Sequence, residues 1–412
     1  MSPQTSQHNT LLIAILIGAL AGLLCGWFFG EAMVSVQWLG DLFLDLLKMT
    51  IIPLIIAAVI SGVAALGDIR KLGRFGGLTV GYYVLTTAMA VFTGLVLVNL
   101  IAPGSGYDNL PDFVPEDIAG KASIGFTDII QQLVTPNLFT AAAETDLLPL
   151  IVFCLIFAAA LTTVGPRGKP VISFFEGLNE VMMKIVLWIM ILAPVGIFAM
   201  VAARLGQAGG GEAFWQEVIQ VGKYILTVSL GLAIHFCVLL TLLLVFSKRG
   251  ISYLVDMSRA LVTAFGTSSS SATLPLTMEC AIEGGVDKRS VRFVLPLGAT
   301  VNMDGTALYE AVAVMFIAQA YGIPMGLYEQ AIIFITATLA AIGAAGIPQA
   351  GLVTMIIVLT AVGLPLEGIG ILLAVDWFLD RMRTLVNVWG DSTGAAIMER
   401  FLPAEDLPQQ TG

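Results

Sequence analysis

The stretch AVDWFLDRMRTLVNVWGDSTG, residues 374–394, carries five charged side chains in a sequence that is otherwise apolar and long enough to span a bilayer. Each charge at mid-membrane costs about 2.5–3.5 kcal/mol on the insertion scale, so five charges there require a function. On a helix, which turns by about 100° per residue, most polar members of the stretch fall within an arc of roughly 100°. They are Asp376, Asp380, Arg383, Thr384, Asn387 and Asp391, and Arg381 lies outside the arc.

This polar face has the chemistry to bind an amino acid together with cations. An arginine offers a fork for a carboxylate, aspartates attract an ammonium group or a metal cation, and hydroxyl and amide oxygens complete a coordination shell. The alternative is a set of ion pairs that only holds a helix bundle together. That alternative explains Asp380 with Arg383, three positions apart, but not Asn387 or Asp391.

Composition places the chain in a membrane. Its 412 residues are 58% hydrophobic and 12% charged, against about 25% charged residues in a globular protein. The net charge of −10 leaves no basic tract for nucleic acid, and the four cysteines are isolated enough to pack as small hydrophobic residues. The first apolar run, 11–29, lacks the basic start and the cleavage site of a signal peptide, so we expect a retained helix.

Six stretches have the length and hydrophobicity of conventional transmembrane helices. They are 11–30, 38–66, 79–102, 146–165, 171–203 and 219–246. If these helices alternate in direction, the basic connections, such as the one with Arg70, Lys71 and Arg74, all fall on one side. The positive-inside rule makes this side the cytoplasm, so the amino terminus is predicted to be cytoplasmic and the acidic segment 103–145 extracellular.

After residue 250 the hydropathy no longer follows a row of spanning helices. Two apolar segments, 253–285 and 328–364, are interrupted by the serine run 268–271 and by the glycine-rich stretch 343–351. We predict two re-entrant hairpins that enter from opposite sides, with a broken helix over 292–320 between them. Such a pair of broken segments indicates a transporter built from inverted repeats, with its binding site near the middle of the bilayer.

The break in the middle helix, Asn302-Met303-Asp304-Gly305-Thr306, is a candidate cation site. A buried Asp304 needs a cation, and with Asn302 and unwound carbonyls it offers the oxygen shell that Na⁺ prefers. Tyr83, Thr86 and Thr87 share one face of the third helix and would complete the shell. The alternative is a glycine kink with a hydrogen-bonded asparagine.

The two hairpin tips are candidate contacts for the substrate. The serine run 268–271 would present backbone N–H groups to a carboxylate at a helix end, or form only a flexible turn. The stretch 343–351 would expose bare carbonyls, or only allow close helix packing. An isolated Glu310 could stay protonated while buried and carry a proton, or act as a fixed neutral donor. His235 is expected only to pack.

With TSSSSATLP, NMDGT, GAAGIPQAG and DRMRTLVNVWGD in this order, the chain resembles the dicarboxylate/amino acid:cation symporter family. This family includes the excitatory amino acid transporters of animals and the archaeal sodium-coupled aspartate transporter. The resemblance covers nearly the whole chain and is most specific over 260–400. It implies an all-α polytopic membrane protein of eight transmembrane helices and two re-entrant helical hairpins, built from inverted repeats and assembled as a homotrimer in the lipid bilayer. The family works by an elevator mechanism.

The resemblance also implies a division into a fixed scaffold and a moving transport domain. The scaffold would comprise 1–78, with helices one and two, and 146–205, with helices four and five. The transport domain would comprise 79–102 (helix three), 219–248 (helix six) and 253–402 (both hairpins, helix seven and helix eight). Segment 103–145 would be an extracellular loop, and 403–412 a cytoplasmic tail.

Site roles carry over residue by residue. Arg383 would bind the side-chain carboxylate of the substrate, and Asp380 its α-ammonium group. The rest of the substrate site would comprise Ser268, Ser269, Ser270, Thr306, Ile347, Gly351, Thr384 and Asn387. Three sodium sites would use Gly298, Asn302, Asn387 and Asp391; Tyr83, Thr86, Thr87, Asn302 and Asp304; and Thr300, Ala341, Ile342 and Ala344 near Met303.

Two positions depart from the archaeal pattern. Ser268 stands where the archaeal transporter has arginine, and the arginine appears instead as Arg381, as in the animal relatives; Glu310 replaces a glutamine. Together, Glu310 and Arg381 imply proton co-transport and raise the question of potassium counter-transport. The long extracellular insertion and glycosylation sequons of animal relatives are absent, which favours a prokaryotic inner membrane.

The leading hypothesis is a secondary-active importer of L-glutamate or L-aspartate coupled to Na⁺, with no cofactor other than its coupling ions. Arg383 favours this substrate class, because a buried unpaired guanidinium penalises a neutral side chain. The alternative is a proton- or sodium-coupled C4-dicarboxylate transporter, although succinate would leave Asp380 without an ammonium partner. An ion channel fits the broken hairpins less well, and the sequence shows no nucleophile with a base or metal triad that would indicate an enzyme.

Overall fold

The computed structural model describes residues 3–64, 73–105, 134–144, 147–207, 211–247, 249–343 and 350–402. Within these ranges all regular secondary structure is helical. The α-helices are α1 (Pro3–Phe29), α2 (Gln37–Ala64), α3 (Gly73–Ile101), α4 (Leu138–Ala143), α5 (Leu147–Thr163), α6 (Lys169–Met190), α7 (Ala193–Gln207), α8 (Gly211–Phe246), α9 (Ser252–Asp256), α10 (Ser258–Thr267), α11 (Ser270–Glu283), α12 (Lys288–Val301), α13 (Asp304–Ala320), α14 (Leu327–Gly343), α15 (Ala350–Ala361) and α16 (Ile369–Met398).

The long apolar helices make this a multi-pass membrane protein. By length and composition, the described ranges contain four helical stretches able to cross a membrane: Ile13–Ala64, Arg74–Ile101, Ile219–Phe246 and Lys288–Ala320. A fifth is counted if the bent pair around Ile191 forms one span. The number of eight spans stays a prediction.

The fifth predicted span, 171–203, is not one straight helix. The chain forms α6 and α7, whose axes differ by 54°. Pro194 is the second residue of α7, where its missing N–H costs no helical hydrogen bond and its fixed φ favours a new helix start. Periodicity and hydropathy run on through this bend, so they did not indicate it.

The segments predicted to be broken are interrupted near the predicted positions. Ser268, in the left-handed region at φ 52°, ends α10, and the extended Ser269 begins α11, where its hydroxyl accepts a hydrogen bond from the Ala272 N–H at 3.1 Å. Asn302 and Met303 separate α12 from α13. The tip between α14 and α15 lies outside the described residues.

Two groups of helices account for most of the packing. In one group, α2 packs against α5, α6 and α7, and α1 packs against α7. In the other, α13 packs against α3, α14, α15 and α16, and α16 packs against α8, α10, α11 and α12. Every residue of α13 except Gln319 is buried, so this helix is the centre of the second group. The two groups meet where α14 and α15 contact α2 and where α16 contacts α7.

Candidate functional site

The polar face predicted on residues 374–394 lies inside the second helix group. Its members are all buried: Asp376, Asp380, Arg383, Thr384, Asn387 and Asp391. The surrounding helices α8, α10, α11, α12 and α13 keep these groups away from a bilayer, which explains how a spanning helix tolerates them. Arg381 points elsewhere, and its Nη1 donates to the carbonyls of Phe265 (3.2 Å) and Gly266 (2.9 Å) near the end of α10.

Arg383 contacts two carboxylates of this face. Its Nη2 lies 3.0 Å from Oδ1 of Asp376 and 2.7 Å from Oδ1 of Asp380. The guanidinium carbon lies 3.9 Å from the ring centroid of Tyr309, a cation–π contact. Within the described part of the chain, Nε and Nη1 of Arg383 have no hydrogen-bond partner. Because buried unpaired donors are costly, these groups are suited to a ligand carboxylate.

Two glycines bring backbone close to Arg383. A Cβ atom at Gly351 would lie 2.6 Å from Nη1 of Arg383, so the predicted pocket residue Gly351 adjoins the guanidinium. A Cβ atom at Gly305 would lie 2.7 Å from the carbonyl oxygen of Arg383. The hairpin arm α15 and the broken helix therefore both reach the same arginine.

Asn387 joins α16 to the start of α13. Its Oδ1 accepts a hydrogen bond from the N–H of Gly305 at 2.7 Å, and its Nδ2 donates to Oγ1 of Thr306 at 3.2 Å. Nδ2 also lies 3.3 Å from the sulfur of Met303. The hydroxyl of Thr384 donates to the carbonyl of Asp380 at 2.8 Å, within its own helix.

The predicted cation ligands of α3, α13 and α16 form one continuous network. Oδ1 of Asp304 accepts from the hydroxyls of Thr87 at 2.7 Å and Thr86 at 3.3 Å. Thr86 also lies 3.3 Å from Oδ1 of Asn302, whose Nδ2 donates to Oδ1 of Asp391 at 3.0 Å. Asp304 begins α13, where the helix dipole favours a negative charge.

Tyr83 and Gly298 adjoin the same network. The Tyr83 hydroxyl donates to the carbonyl of Val294 at 2.6 Å. A Cβ atom at Gly298 would collide with the Asp391 carboxylate and lie 2.8 Å from the Tyr83 hydroxyl. Within the described ranges, neither Asp304 nor Asp391 forms an ion pair with a lysine or an arginine. Two buried carboxylates among hydroxyl and amide oxygens are suited to hard cations such as Na⁺.

The described members of the third predicted cation group lie on two helices. Thr300 lies on α12, and Ala341 and Ile342 lie on α14, two helices that contact each other. The hydroxyl of Thr300 donates to the carbonyl of Leu297 at 3.0 Å, and the carbonyl of Ile342 faces Gly62 of α2. Ala344 and Ile347 lie outside the described residues.

The remaining predicted positions are buried beside these groups. Ser268, Ser269 and Ser270 are buried at the tip of the first hairpin, whose helices α10 and α11 pack on α16. Glu310 is fully buried in α13, and within the described ranges neither of its carboxylate oxygens has a hydrogen-bond partner.

The expectation that His235 only packs is wrong. Its Nε2 lies 3.0 Å from Oδ2 of Asp304, and both side chains are fully buried. The sequence separation of 69 positions hides this contact from periodicity arguments. The available signal was an ionisable side chain inside a spanning helix, which is by itself a candidate functional residue. Tyr309 was also missed, because its role depends on the ring facing Arg383.

Comparison with known proteins finds relatives over most of the chain. The family model for the sodium:dicarboxylate symporter family matches residues 11–401. Excitatory amino acid transporter 3 of Homo sapiens is 41% identical over 89% of this chain and 79% of its own length. Excitatory amino acid transporter 1 of Ambystoma tigrinum is 38% identical over 96% of this chain and 83% of its own. An excitatory amino acid transporter of Caenorhabditis elegans is 37% identical over 97% of this chain and 89% of its own. The chain therefore belongs to the sodium:dicarboxylate symporter family, and it is a membrane transporter rather than an enzyme.

Proposed function

We propose that the chain is a secondary-active importer of L-aspartate or L-glutamate coupled to Na⁺. The observation that carries the proposal is Arg383, a fully buried guanidinium whose Nε and Nη1 have no hydrogen-bond partner in the described part of the chain. A neutral substrate would leave these donors unsatisfied, whereas a side-chain carboxylate would accept from them. The similarity to proteins named excitatory amino acid transporters supports the same substrate class.

The α-ammonium group of the substrate is assigned to Asp380. This carboxylate lies beside Arg383, at 2.7 Å, so one residue pair offers both charges that an acidic amino acid requires. Asp376, at 3.0 Å from the same guanidinium nitrogen, would keep Arg383 paired when Asp380 turns to an ammonium group. Thr306, Thr384, Asn387 and the backbone of residues 268–270 would complete the pocket.

Sodium is the proposed driving ion, and the supporting observation is the network around Asp304 and Asp391. These carboxylates lie among hydroxyl and amide groups and are linked through Asn302. Each net positive charge moved inward gains about 2.3 kcal/mol per 100 mV of membrane potential. Extra sodium ions would therefore drive uptake of a substrate against its gradient.

The proposal extends to the mode of transport. The helix group around α13 and α16 would move as the transport domain of an elevator, and the group around α2 would be the fixed scaffold of a homotrimer. Glu310, a fully buried carboxyl group without a hydrogen-bond partner in the described part of the chain, is the proposed proton carrier, and Arg381 is assigned with it to proton and potassium coupling. The proposed setting is a prokaryotic inner membrane, with the amino terminus in the cytoplasm.

A C4-dicarboxylate transporter is the second candidate, and the family name itself favours it. Succinate would satisfy Arg383 but would bring no ammonium group to Asp380. The two candidates therefore differ in whether the amino group of the ligand contributes to affinity.

Equilibrium binding to the purified protein tests the proposal. L-aspartate, L-glutamate, succinate and L-serine are titrated in NaCl and in choline chloride by isothermal calorimetry. We expect binding of the acidic amino acids only in NaCl, with succinate and L-serine at least about a hundred-fold weaker, equivalent to about 2.7 kcal/mol. Succinate binding as tight as L-aspartate would favour the dicarboxylate candidate. Equal affinity in choline would contradict sodium coupling.

A further inference from the structure

The contact between His235 and Asp304 is not used by the roles proposed above. His235 lies in α8, Asp304 begins α13, and both side chains are fully buried. Oδ1 of Asp304 accepts from Thr86 and Thr87, so His235 is the partner of the other carboxylate oxygen, Oδ2. The two oxygens of one carboxylate are thus held by two different helices, α3 and α8.

The geometry indicates which form of the imidazole makes this contact. A carboxylate oxygen accepts, so Nε2 carries the hydrogen. Nδ1 of His235 is buried and has no hydrogen-bond partner within the described ranges. The contact with Asp304 is therefore the one polar contact of this ring within those ranges.

This contact has a consequence for a cation site. It fixes the rotation of the Asp304 carboxylate, whose other oxygen is held by Thr86 and Thr87. Close packing adds to this constraint, because a Cβ atom at Gly390 would lie 3.2 Å from Oδ2 of Asp304 and 2.9 Å from Nδ2 of Asn302. Histidine–carboxylate contacts behind a metal ligand typically orient that ligand.

We propose that His235 is a positioning residue for the cation ligand Asp304, and that its hydrogen bond to Oδ2 of Asp304 sets sodium affinity. This inference rests on the proposed role of Asp304 in binding Na⁺. His235 touches neither the substrate pocket around Arg383 nor, in this assignment, the sodium ion itself.

Variants of His235 separate the hydrogen bond from the packing. His235→Phe keeps a ring but removes the donor, and His235→Gln restores an N–H donor without a titratable ring. Cys237→Ala is the control, because Cys237 lies on the same helix with its side chain exposed. The readouts are the sodium concentration that half-maximally raises the unfolding temperature of the purified protein, with choline keeping ionic strength constant, and the sodium concentration for half-maximal L-aspartate uptake.

We expect His235→Phe to raise both sodium concentrations about ten-fold, within the range known for residues behind metal ligands. His235→Gln and Cys237→Ala should stay within about two-fold of the wild type. The KM for L-aspartate at saturating sodium should not change in any variant. If His235→Phe does not fold, His235→Leu takes its place.

Several results would overturn the inference. Wild-type sodium affinity in a folded His235→Phe protein would exclude a positioning role, and an equal loss in His235→Gln and His235→Phe would exclude the hydrogen bond as its cause. If sodium stabilises the wild type and the variants shift that response as expected, but no acidic amino acid is transported, the proposed function fails while the role of His235 stands.

Discussion

The proposed substrate site depends on Arg383 and on the few side chains that contact its guanidinium. Asp376 and Asp380 contact the same guanidinium nitrogen of Arg383, and the guanidinium carbon lies 3.9 Å from the ring centroid of Tyr309. The polar face of α16 was predictable, because charges in a spanning helix stand out against apolar neighbours. The partners of that face were not predictable, since His235 and Tyr309 come from other helices and only packing brings them to Asp304 and Arg383.

Arg383→Ala should abolish uptake of acidic amino acids. The variant loses the donors for the substrate carboxylate and removes the guanidinium that neutralises the buried carboxylates of Asp376 and Asp380. The measurement is sodium-driven uptake of L-aspartate and of L-serine. We expect L-aspartate transport to fall to background, with L-serine gaining relative to it. Unchanged aspartate affinity would remove Arg383 from the substrate site.

Gly351→Ala should weaken substrate binding. The added methyl would meet Nη1 of Arg383 at 2.6 Å, and the guanidinium cannot retreat without lengthening its contacts to Asp376 and Asp380. The expected rise in Kd is about ten-fold, equivalent to about 1.4 kcal/mol. Gly222→Ala is the matched control, because nothing lies within 4 Å of a Cβ at that position. Equal affinities for the two variants would show that Gly351 does not shape the pocket.

Asp304→Asn should weaken the sodium dependence of substrate binding. The change keeps the shape of the side chain but removes the charge that attracts a cation among Thr86, Thr87 and Asn302. Titration of sodium at fixed L-aspartate should show a higher half-saturating concentration and a lower slope. Sodium titrations that match the wild type would lead us to withdraw this site.

The elements that form the site are the broken helices, and most of their positions follow from the sequence. The serine run predicted the break at Ser268, and the polar stretch from Asn302 to Thr306 predicted the break at Asn302. The glycine-rich stretch 343–351, which predicted a third break, lies mostly outside the described residues. Hydropathy did not indicate the bend between α6 and α7, because Pro194 is the second residue of α7, a position where a helix tolerates proline. Helix ends shifted as well, since α3 begins at Gly73 rather than at residue 79.

The root of the first hairpin is tied to neighbouring elements. The guanidinium of Arg249 donates to the carbonyls of Gly284 and Gly285 and pairs with Glu399 at 2.9 Å. These contacts join the chain after α8, the end of α11 and the end of α16. A hairpin held in this way at its root, and by Arg381 near its tip, should move together with α16.

Asp287 should stabilise the start of α12 in a pH-dependent way. Hydrogen bonds from the side chain and the backbone N–H of Arg289 lower the pKa of Asp287 below its usual value. A lowered pKa means that this stabilisation is present above the unfolded value of about 3.9 and is lost as the pH falls through the folded value. Asp287→Ala should therefore cost about 0.5–2 kcal/mol at pH 7, as for other helix caps.

Thermal unfolding in detergent measures this difference between pH 7 and pH 3. The gap between wild type and Asp287→Ala should shrink at the lower pH. Lys288→Ala, at the neighbouring exposed position, is the control and should show no such trend. A gap that grows with acidity would contradict the assigned sign.

At the scale of the whole molecule, the two helix groups contact each other through several helix pairs, and Gly62 lies at one of these contacts. A Cβ atom at Gly62 of α2 would lie 3.0 Å from the carbonyl of Ile342 in α14. Membrane insertion, helical class and the hairpins could be predicted from hydropathy and from the order of the motifs. The division into packing groups required the three-dimensional contacts, because hydropathy does not indicate which helices are neighbours.

Gly62→Ala should slow transport without weakening binding. The methyl would press α14 away from α2, where the proposed transport domain slides past the scaffold, but it lies outside the pocket around Arg383. Because Ile342 is also a proposed cation ligand, binding is compared at saturating sodium. We expect the maximal uptake rate to fall several-fold while the Kd for L-aspartate under that condition stays within about two-fold. Gly81→Ala, which has open space around its Cβ, is the control. A changed Kd with an unchanged rate would argue against a sliding contact here.

The most direct measurement is uptake of radiolabelled L-aspartate into proteoliposomes that contain only this protein. An inward sodium gradient is compared with a choline gradient, and internal potassium with internal choline. We predict uptake that requires sodium, and a further loss without internal potassium would assign potassium counter-transport. Uptake that a proton gradient drives equally well without sodium would contradict sodium coupling and the cation roles of Asp304 and Asp391.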